Sequence, residues 1–199
     1  MDIKISGNTI DPKIIVIGVF HGDEPQGYYL INNYCAVNKD TKLLMVPCLN
    51  KSGFEQHTRV NKNGVDLNRN FPAKNWILGE KDDYYGGNSP ASEDETKFVI
   101  NLIEKYKPEA VITLHSPYKV VNYDGNGKEL AEKISDIIGY PIEENIGYPT
   151  PGSFGTWAGI EKGIPVITLE LDEEADISEL EKPVFEIFRM LEHYQVKNG

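Results

Sequence analysis

The stretch that decides the fold runs from Lys13 to Val19 and reads KIIVIGV. A run of β-branched residues without polar alternation is typical of a strand that is buried on both faces. The residues that follow, Glu24 to Val37, predict a helix, because Pro25 falls in the first turn, where a helix tolerates proline. A buried strand that leads directly into a helix is the building unit of α/β domains.

The same alternation of strand and helix continues along the chain. We predict further strands at 42–48, 110–115 and 165–171, and further helices at 92–106, 128–138 and 177–194. A Ser-x-x-Glu capping box, from Ser92 to Glu95, indicates where the helix 92–106 begins. The pattern favours a three-layer α/β sandwich, in which helices flank a central mixed, mostly parallel twisted sheet. We expect the whole chain, residues 1–199, to form this single domain.

The composition excludes several classes of protein. The 199 residues carry 20 Lys and Arg against 31 Asp and Glu, a formal net charge of −11, without a basic cluster that could follow a phosphate backbone. The longest apolar stretch, Ile14 to Phe20, is far shorter than the ~20 residues of a membrane-spanning helix, and no signal-peptide cleavage site follows it. Two cysteines, Cys35 and Cys48, are too few for a disulfide framework and are interpreted as small buried residues. We therefore expect a cytoplasmic protein with no nucleic-acid partner and no membrane insertion, and the oligomeric state stays open.

Two long segments, 50–87 and 139–159, follow neither the helical nor the strand pattern. The first is rich in Asn, Gly, Lys and Asp, and the second contains several prolines and glycines. Loops of this length in a compact domain are usually functional. In α/β sheets such loops build sites at the carboxyl ends of the strands.

Four side chains that can bind a metal or transfer a proton lie at or near the ends of three predicted strands: His21, Glu24, His115 and Glu170. If these strands run parallel, their carboxyl ends converge on one edge of the sheet. Two imidazoles and one carboxylate then make a three-ligand zinc site with a fourth position open for water, and the remaining carboxylate can take the proton of that water. Each residue alone could equally be structural. Glu170 is the most informative of the four, because a carboxylate in a buried strand is costly unless it is paired or functional.

The segment from Asp66 to Pro72, which reads DLNRNFP, is the strongest local signal. Arg69 has a planar fork suited to a carboxylate, and Asn68 adds an amide donor beside it. Arg59, in the same loop, supplies a second fixed cation. These residues predict a site that binds an anionic group of a small ligand, although a solvated turn with a surface arginine would have the same residues.

The order of these motifs resembles that of the zinc carboxypeptidases of the carboxypeptidase A type. The motifs are HGDE at 21–24, DLNRNFP at 66–72, LHS at 114–116 and ITLEL at 167–171. The resemblance covers about residues 14–172 and implies a zinc carboxypeptidase-like catalytic domain with one zinc ion per chain. It implies that His21, Glu24 and His115 hold the zinc. Glu170 would be the general base and proton shuttle.

The resemblance also implies how a substrate is bound. Asn68 and Arg69 would bind the terminal carboxylate of the substrate, and Arg59 would polarise the scissile carbonyl and stabilise its oxyanion. Tyr148 lies 22 positions before Glu170, the spacing at which digestive relatives carry a mobile substrate-binding tyrosine.

Further segments narrow the resemblance to one bacterial subfamily of these enzymes. They are RVN at 59–61, GVD at 64–66, NW at 75–76, SEDET at 92–96 and GYPTPGSFG at 147–155. That subfamily is known for releasing diaminopimelate from the tripeptide L-Ala-γ-D-Glu-meso-diaminopimelate in cell-wall recycling. The resemblance therefore implies a small muropeptide substrate and direct attack of water, with no acyl-enzyme.

The charges of that tripeptide set a further expectation. It carries more carboxylates than cations, so a protein of net charge −11 does not attract it by its overall field. Arg59 and Arg69 are the local cations for its carboxylates. We expect an acidic side chain to pair with the distal ammonium of diaminopimelate, and the sequence does not single out that residue.

Two other functions are compatible with the sequence. One is a zinc deacylase of N-acyl amino acids on the related aspartoacylase-type scaffold, and the segments 68–72 and 147–155 favour the peptidase over it. The other is a non-catalytic sensor that binds muropeptides. The presence of Glu170 counts against the sensor, because a binder needs no general base. The exact substrate and the physiological metal stay open.

Overall fold

A seven-stranded sheet forms the centre of the computed structural model, which describes residues 3–144, 147 and 149–194. The strands are β1 (Ser6–Gly7), β2 (Ile14–Gly18), β3 (Leu44–Val46), β4 (Ala110–His115), β5 (Val120–Asp124), β6 (Ile142–Glu143) and β7 (Val166–Glu170). Their order across the sheet is β1-β3-β2-β4-β7-β5-β6. Strands β3, β2, β4 and β7 run parallel, whereas β1 and β5 are antiparallel to β3 and β7. The sheet is mixed and mostly parallel, as the sequence predicts.

Helices cover both faces of this sheet. They are α1 (Gln26–Val37), α2 (Lys51–Gln56), α3 (Asp94–Tyr106), α4 (Lys128–Ile138) and α5 (Ile177–Leu191), with a short 3-10 helix (Leu67–Arg69) and a π-helical segment (Gly155–Glu161). Side chains of α1, α4 and α5 form the hydrophobic core on one face. Side chains of α3 and the π-helical segment form the core on the other face. The predicted three-layer sandwich is confirmed.

The central strands supply apolar side chains to both cores. In β2, Ile14 and Val16 pack into the first core, and Ile15 and Ile17 pack into the second. All four are at most 2% exposed. Alternate residues of a strand point to opposite faces, so an uninterrupted apolar run is what a strand with two covered faces requires.

The ends of the helices follow local chemistry, and one predicted cap does not form. Gly139 ends α4 with a positive φ of 79°, a conformation that glycine adopts without strain. The capping box predicted at Ser92 does not form, because its hydroxyl donates to Glu93 and accepts from Asn70 instead. Helix α3 begins at Asp94 with no side-chain cap.

Several short elements were not predicted, because each is too short to show a periodic pattern. They are β1, β5, β6, α2, the 3-10 helix and the π-helical segment. The predicted helix 177–194 ends earlier, at Leu191. Cys35 and Cys48 carry free thiols but are only half-buried, so their interpretation as buried residues is corrected in part. None of the helices in the described part of the chain is long and apolar enough to cross a membrane.

Candidate metal centre and active site

The parallel strands bring the predicted metal-binding residues to one edge of the sheet. Strand β2 ends at Gly18, and His21 lies three residues beyond that end. His115 is the last residue of β4 and pairs in register with Glu170, the last residue of β7. The sequence predicted this convergence on the assumption of parallel strands, and the strand order provides it.

Three side chains converge on one point at this edge. Nδ1 of His21 lies 2.8 Å from Oε1 of Glu24, and Nδ1 of His115 lies 2.8 Å from Oε2 of the same carboxylate. The two Nδ1 atoms are 3.3 Å apart. One ligand atom from each residue lies within 4.8 Å of the other two, so a single ion could be shared among them. Two imidazole nitrogens and a carboxylate oxygen are a donor set that catalytic zinc takes from proteins, and these residues therefore fit the metal that the sequence implies.

Asp66 contacts His21 behind this cluster, a contact that the sequence analysis missed. Its Oδ1 lies 3.1 Å from Nε2 of His21, on the side of the ring opposite Glu24. A proton on Nε2 that is donated to Asp66 leaves the lone pair of Nδ1 for a metal. Asp66 is fully buried and also caps the 3-10 helix by accepting from the backbone N–H of Asn68. The sequence feature that could have indicated Asp66 is its place in the DLNRNFP segment, two residues before Asn68.

Burial and neighbouring charges set the protonation of this cluster in the absence of a metal. Burial alone lowers the pKa of His21, but the carboxylates of Glu24 and Asp66 outweigh it and raise that pKa to about 9. Burial raises the pKa of Glu24, yet the two histidines outweigh it and hold the pKa well below its usual range. The carboxylate of Glu24 therefore stays charged at neutral pH, and His21 releases a proton when its Nδ1 binds a metal.

Glu170 lies beside the metal-binding residues in a different environment. It is 6% exposed, and its Oε2 has no hydrogen-bond partner among the described residues. Burial raises the pKa of Glu170, the opposite direction from Glu24. A desolvated carboxylate with a free oxygen is suited to exchange a proton with a nearby water or leaving group.

Asp66 also fixes one of the two predicted arginines. Nε and Nη2 of Arg59 donate to Oδ2 of Asp66 at 3.0 and 2.9 Å, and Nη1 lies 3.7 Å from Oε1 of Glu24. The guanidinium is therefore held beside the metal centre by two hydrogen bonds, a geometry that lysine could not supply.

Asn68 and Arg69 form the neighbouring wall of the site. Oδ1 of Asn68 accepts from the backbone N–H of Phe154 at 2.9 Å, and Nη1 of Arg69 donates to the carbonyl of Asn68 at 2.7 Å. The half-exposed ring of Tyr84 lies 5.0 Å from the guanidinium carbon of Arg59 and 5.9 Å from that of Arg69. Both distances are within the range of a cation–π interaction, so Tyr84 links the two arginines.

All of these side chains except Asp66 line one cavity of about 780 Å³, which we call the central cavity. Its wall also contains residues that the sequence did not single out, among them Tyr84, Asn122, Asp124, Thr156 and Thr168. The predicted substrate-binding residue Tyr148 lies outside the described residues. The remaining histidines, His57 and His193, do not line this cavity.

Comparisons with known proteins agree with this geometry. The family model described as zinc carboxypeptidase matches residues 3–136. Murein peptide amidase A of Escherichia coli K12 is 32% identical over 193 residues, which cover 89% of this chain and 78% of that protein. The protein of the same name from Vibrio campbellii is 32% identical over 200 residues, covering 90% and 77%.

A solved structure of a related protein has the same fold. The crystal structure of murein-tripeptide amidase from Escherichia coli O157 superimposes with a TM-score of 0.81 at 29% identity, covering 96% of this chain and 84% of that one. The family match spans more than half of the chain, and the relatives are covered over more than two thirds of their length. The chain therefore belongs to the zinc carboxypeptidase family and is a hydrolase of the zinc metallopeptidase type.

Proposed function

We propose that this protein is a zinc-dependent amidase that hydrolyses the bond between γ-D-glutamate and meso-diaminopimelate in murein tripeptide. The observation that carries the proposal is the convergence of His21, Glu24 and His115 beside the unpartnered oxygen of Glu170. We propose one zinc ion per chain and a single catalytic domain that spans residues 1–199. The names of the relatives, murein peptide amidase and murein-tripeptide amidase, support this choice of substrate.

The residues around the metal centre have different roles in hydrolysis. Zinc, when bound to His21, Glu24 and His115, supplies a Lewis acid that lowers the pKa of water and polarises a carbonyl. Glu170 takes the proton of the attacking water, because it lines the cavity and its desolvated carboxylate has an oxygen without a hydrogen-bond partner among the described residues. The same carboxyl then gives the proton to the nitrogen of the leaving amine. The C–N bond of the amide breaks, the carbonyl carbon keeps the hydroxyl of the water, and the amine nitrogen takes the proton.

The two arginines would bind negative charges of the substrate. Arg59 is fixed by Asp66 beside the metal centre and would stabilise the negative charge that develops on the carbonyl oxygen. Arg69 and Asn68 would bind the carboxylate of the residue that leaves, since Arg69 presents a planar fork on the cavity wall. A carboxylate held in this position places the neighbouring amide bond at the metal centre.

The cellular setting is part of the proposal. A small imported muropeptide is a substrate of cell-wall recycling in the cytoplasm, and the cavity of about 780 Å³ has the size of sites for small molecules. We therefore propose a cytoplasmic enzyme of peptidoglycan recycling.

The proposal is tested on one preparation, by elemental analysis for zinc and by the release of diaminopimelate from the tripeptide with and without a chelator. We expect one zinc per chain and release that the chelator abolishes. Glu170→Gln should retain zinc and lose about 10³-fold or more in kcat, because it keeps the shape but cannot accept a proton. Glu174→Gln is the matched control, since Glu174 is exposed and does not line the cavity.

Other outcomes would select the alternatives. Zinc without release from the tripeptide, but with hydrolysis of N-acetyl or N-succinyl amino acids, would favour the deacylase. A Glu170→Gln variant that keeps its full biological function would favour the non-catalytic sensor.

A further inference from the structure

A carboxylate lines the central cavity at a distance from the metal centre, four residues along β5 from the residue that pairs with Glu170. Asp124 is the last residue of β5 and lines the cavity. Within the described part of the chain, no side chain forms an ion pair or hydrogen bond with its carboxylate. This residue has no place in the catalytic steps described above, and its charge therefore needs another explanation.

The strand register shows how unusual this position is. Strand pairing places four residues in one row across the cavity face of the sheet: Ile15, Val111, Val166 and Asp124. The first three belong to the hydrophobic core of that face. Asp124 thus occupies the place in the row where the neighbouring strands carry aliphatic side chains. A carboxylate at such a place is costly unless something pairs with it.

The surrounding backbone is shaped around Asp124. A Cβ atom added at Gly155 would collide with Oδ2 of Asp124, and one added at Gly159 would collide with its Cβ. Both glycines belong to the π-helical segment, which packs directly against the end of β5. Any larger residue at position 155 would displace the carboxylate, so the two glycines leave the space in which it is held.

Burial also changes the acidity of this carboxyl group. It raises the pKa of Asp124 to about 6, and no charged neighbour contributes to that shift. At neutral pH the carboxylate is mostly ionised but carries a desolvation penalty, because no cation offsets it. A ligand that brings a positive charge to this point would remove the penalty.

The distance between Asp124 and the metal centre indicates which part of a ligand could bring a positive charge to Asp124. Val120 pairs with Glu170, and Asp124 lies four residues farther along the same strand, about 13 Å away at ~3.3 Å per residue. A side chain with four bonds between its α-carbon and the carbon that bears the amine spans about 5 Å. Glu170 and Asp124 lie on the same face of the sheet and both line the cavity, so such a side chain could extend from the metal centre toward Asp124.

We propose that Asp124 forms a subsite for the primary ammonium group at the end of the side chain of the residue that hydrolysis releases. The ligand class is a diamino acid, such as diaminopimelate or lysine. The inference rests on the proposed function, since it takes the released residue to occupy the cavity between Arg69 and Asp124. Arg69 reads the carboxylate next to the scissile bond, and Asp124 reads the charge at the far end of the side chain.

The test compares two substrates that differ in this ammonium group. They are γ-D-glutamyl-L-lysine and γ-D-glutamyl-L-norleucine, which has the same four-carbon side chain without the amine. The zinc-loaded full chain is compared with Asp124→Asn, which keeps the size of the side chain and removes its charge. Asp136→Asn is the matched control, because Asp136 is exposed on α4.

The expected result is selective. Asp124→Asn should lower kcat/KM for the lysine substrate by about 10- to 100-fold, the effect of losing one hydrogen bond between charged groups, and change the norleucine substrate by less than about 3-fold. Gly155→Ala should cause the same selective loss, because its Cβ displaces the carboxylate. An equal loss on both substrates would assign Asp124 a structural role and overturn the proposal, and so would the absence of any loss.

Direct binding separates this proposal from the proposed function. Calorimetry with free lysine and free norleucine should show tighter binding of lysine to the wild-type protein by about 10-fold or more, and no such preference in Asp124→Asn. If murein tripeptide is not hydrolysed but this preference is present, the proposed function fails and the subsite stands. If lysine binds no better than norleucine to the wild-type protein, the subsite is refuted whatever the activity.

Discussion

Replacement of Asp66 by Asn tests whether one buried carboxylate supports both the metal centre and the arginine beside it. Asp66 has no exposed surface and accepts from Nε2 of His21, from two nitrogens of Arg59 and from the backbone N–H of Asn68. Burial raises the pKa of Asp66, but His21 and Arg59 outweigh it and hold that pKa well below its usual range. The negative charge is therefore part of the folded state at all ordinary pH values.

The size of the effect follows from these contacts. Removing one partner of a buried ion pair costs about 3–5 kcal/mol, because the other charge is left uncompensated. The side chain of Arg59 is 20% exposed and lies 3.7 Å from Glu24, so water and Glu24 compensate in part and the lower end applies. For a chain of 199 residues, about 3 kcal/mol corresponds to a decrease in Tm of about 6–12 °C. Loss of the partner of a metal-binding histidine lowers metal affinity by about 10–100-fold.

Two assays measure these effects on Asp66→Asn and on the exposed control Asp136→Asn. Thermal unfolding is followed by circular dichroism with and without zinc, and zinc affinity is measured by competition with a chromogenic chelator. We expect the decrease in Tm and the weaker zinc binding in Asp66→Asn alone. A Tm within about 2 °C of the wild type, together with zinc affinity within twofold, would refute the assignment of Asp66 as the shared support.

Three further predictions address other parts of the site. Tyr84→Ala should raise KM for carboxylate-terminated substrates by about 2–5-fold, the scale of an exposed cation–π interaction, while Tyr84→Phe, which keeps the ring over Arg59, should not. Because burial raises the pKa of Asp124 from its usual 3.8 to about 6, the folded state binds more protons than the unfolded state between these values, and stability falls as the pH rises through this window. Asp124→Asn should therefore melt at a higher temperature than the wild type at pH 8 but not at pH 4, and equal differences at the two pH values would contradict this account. Asn50→Ala should destabilise the protein by about 2–3 kcal/mol in urea unfolding, since Asn50 caps α2 and donates to the carbonyls of Phe20 and Arg59; a loss below about 0.5 kcal/mol would show that these bonds are dispensable.

The sequence predicted the central layers of the fold because these elements carry strong local signals. The strand at 110–115 and the helix at 128–138 have the predicted bounds. The buried strand runs from Ile14 to Gly18, slightly shorter than predicted. Uniform apolar runs, a helix-ending glycine and regular spacing of apolar residues can all be read from neighbouring residues alone.

The short elements around the site have no such signal. Strand β5 is five residues long, VVNYD, and its apolar and polar residues could equally belong to a loop. Its antiparallel pairing with β7 depends on contacts between residues about 45 positions apart in the chain. Only the assembled sheet shows that Asp124 lies in a row with core residues and that it faces the cavity.

The predicted metal-binding residues show both what the sequence can predict and what requires the structure. The sequence by itself determined which residue types were available, because imidazoles and carboxylates at strand ends are chemically recognisable in a linear chain. It also determined the motif DLNRNFP and, through the family resemblance, the expected role of each site residue. The convergence of His21, Glu24 and His115 within 4.8 Å was an inference from parallel strands that the tertiary structure then provided.

Only the tertiary structure decided the contacts between residues that are distant in the sequence. Asp66 lies 45 positions from His21, yet it binds the far side of that imidazole and holds Arg59 as well. Asp124 owes its burial to the glycines of the π-helical segment, 31 and 35 residues later in the chain. The physical reason is that burial and electrostatic pairing depend on distance in space, whereas a sequence pattern reports only the neighbours along the chain.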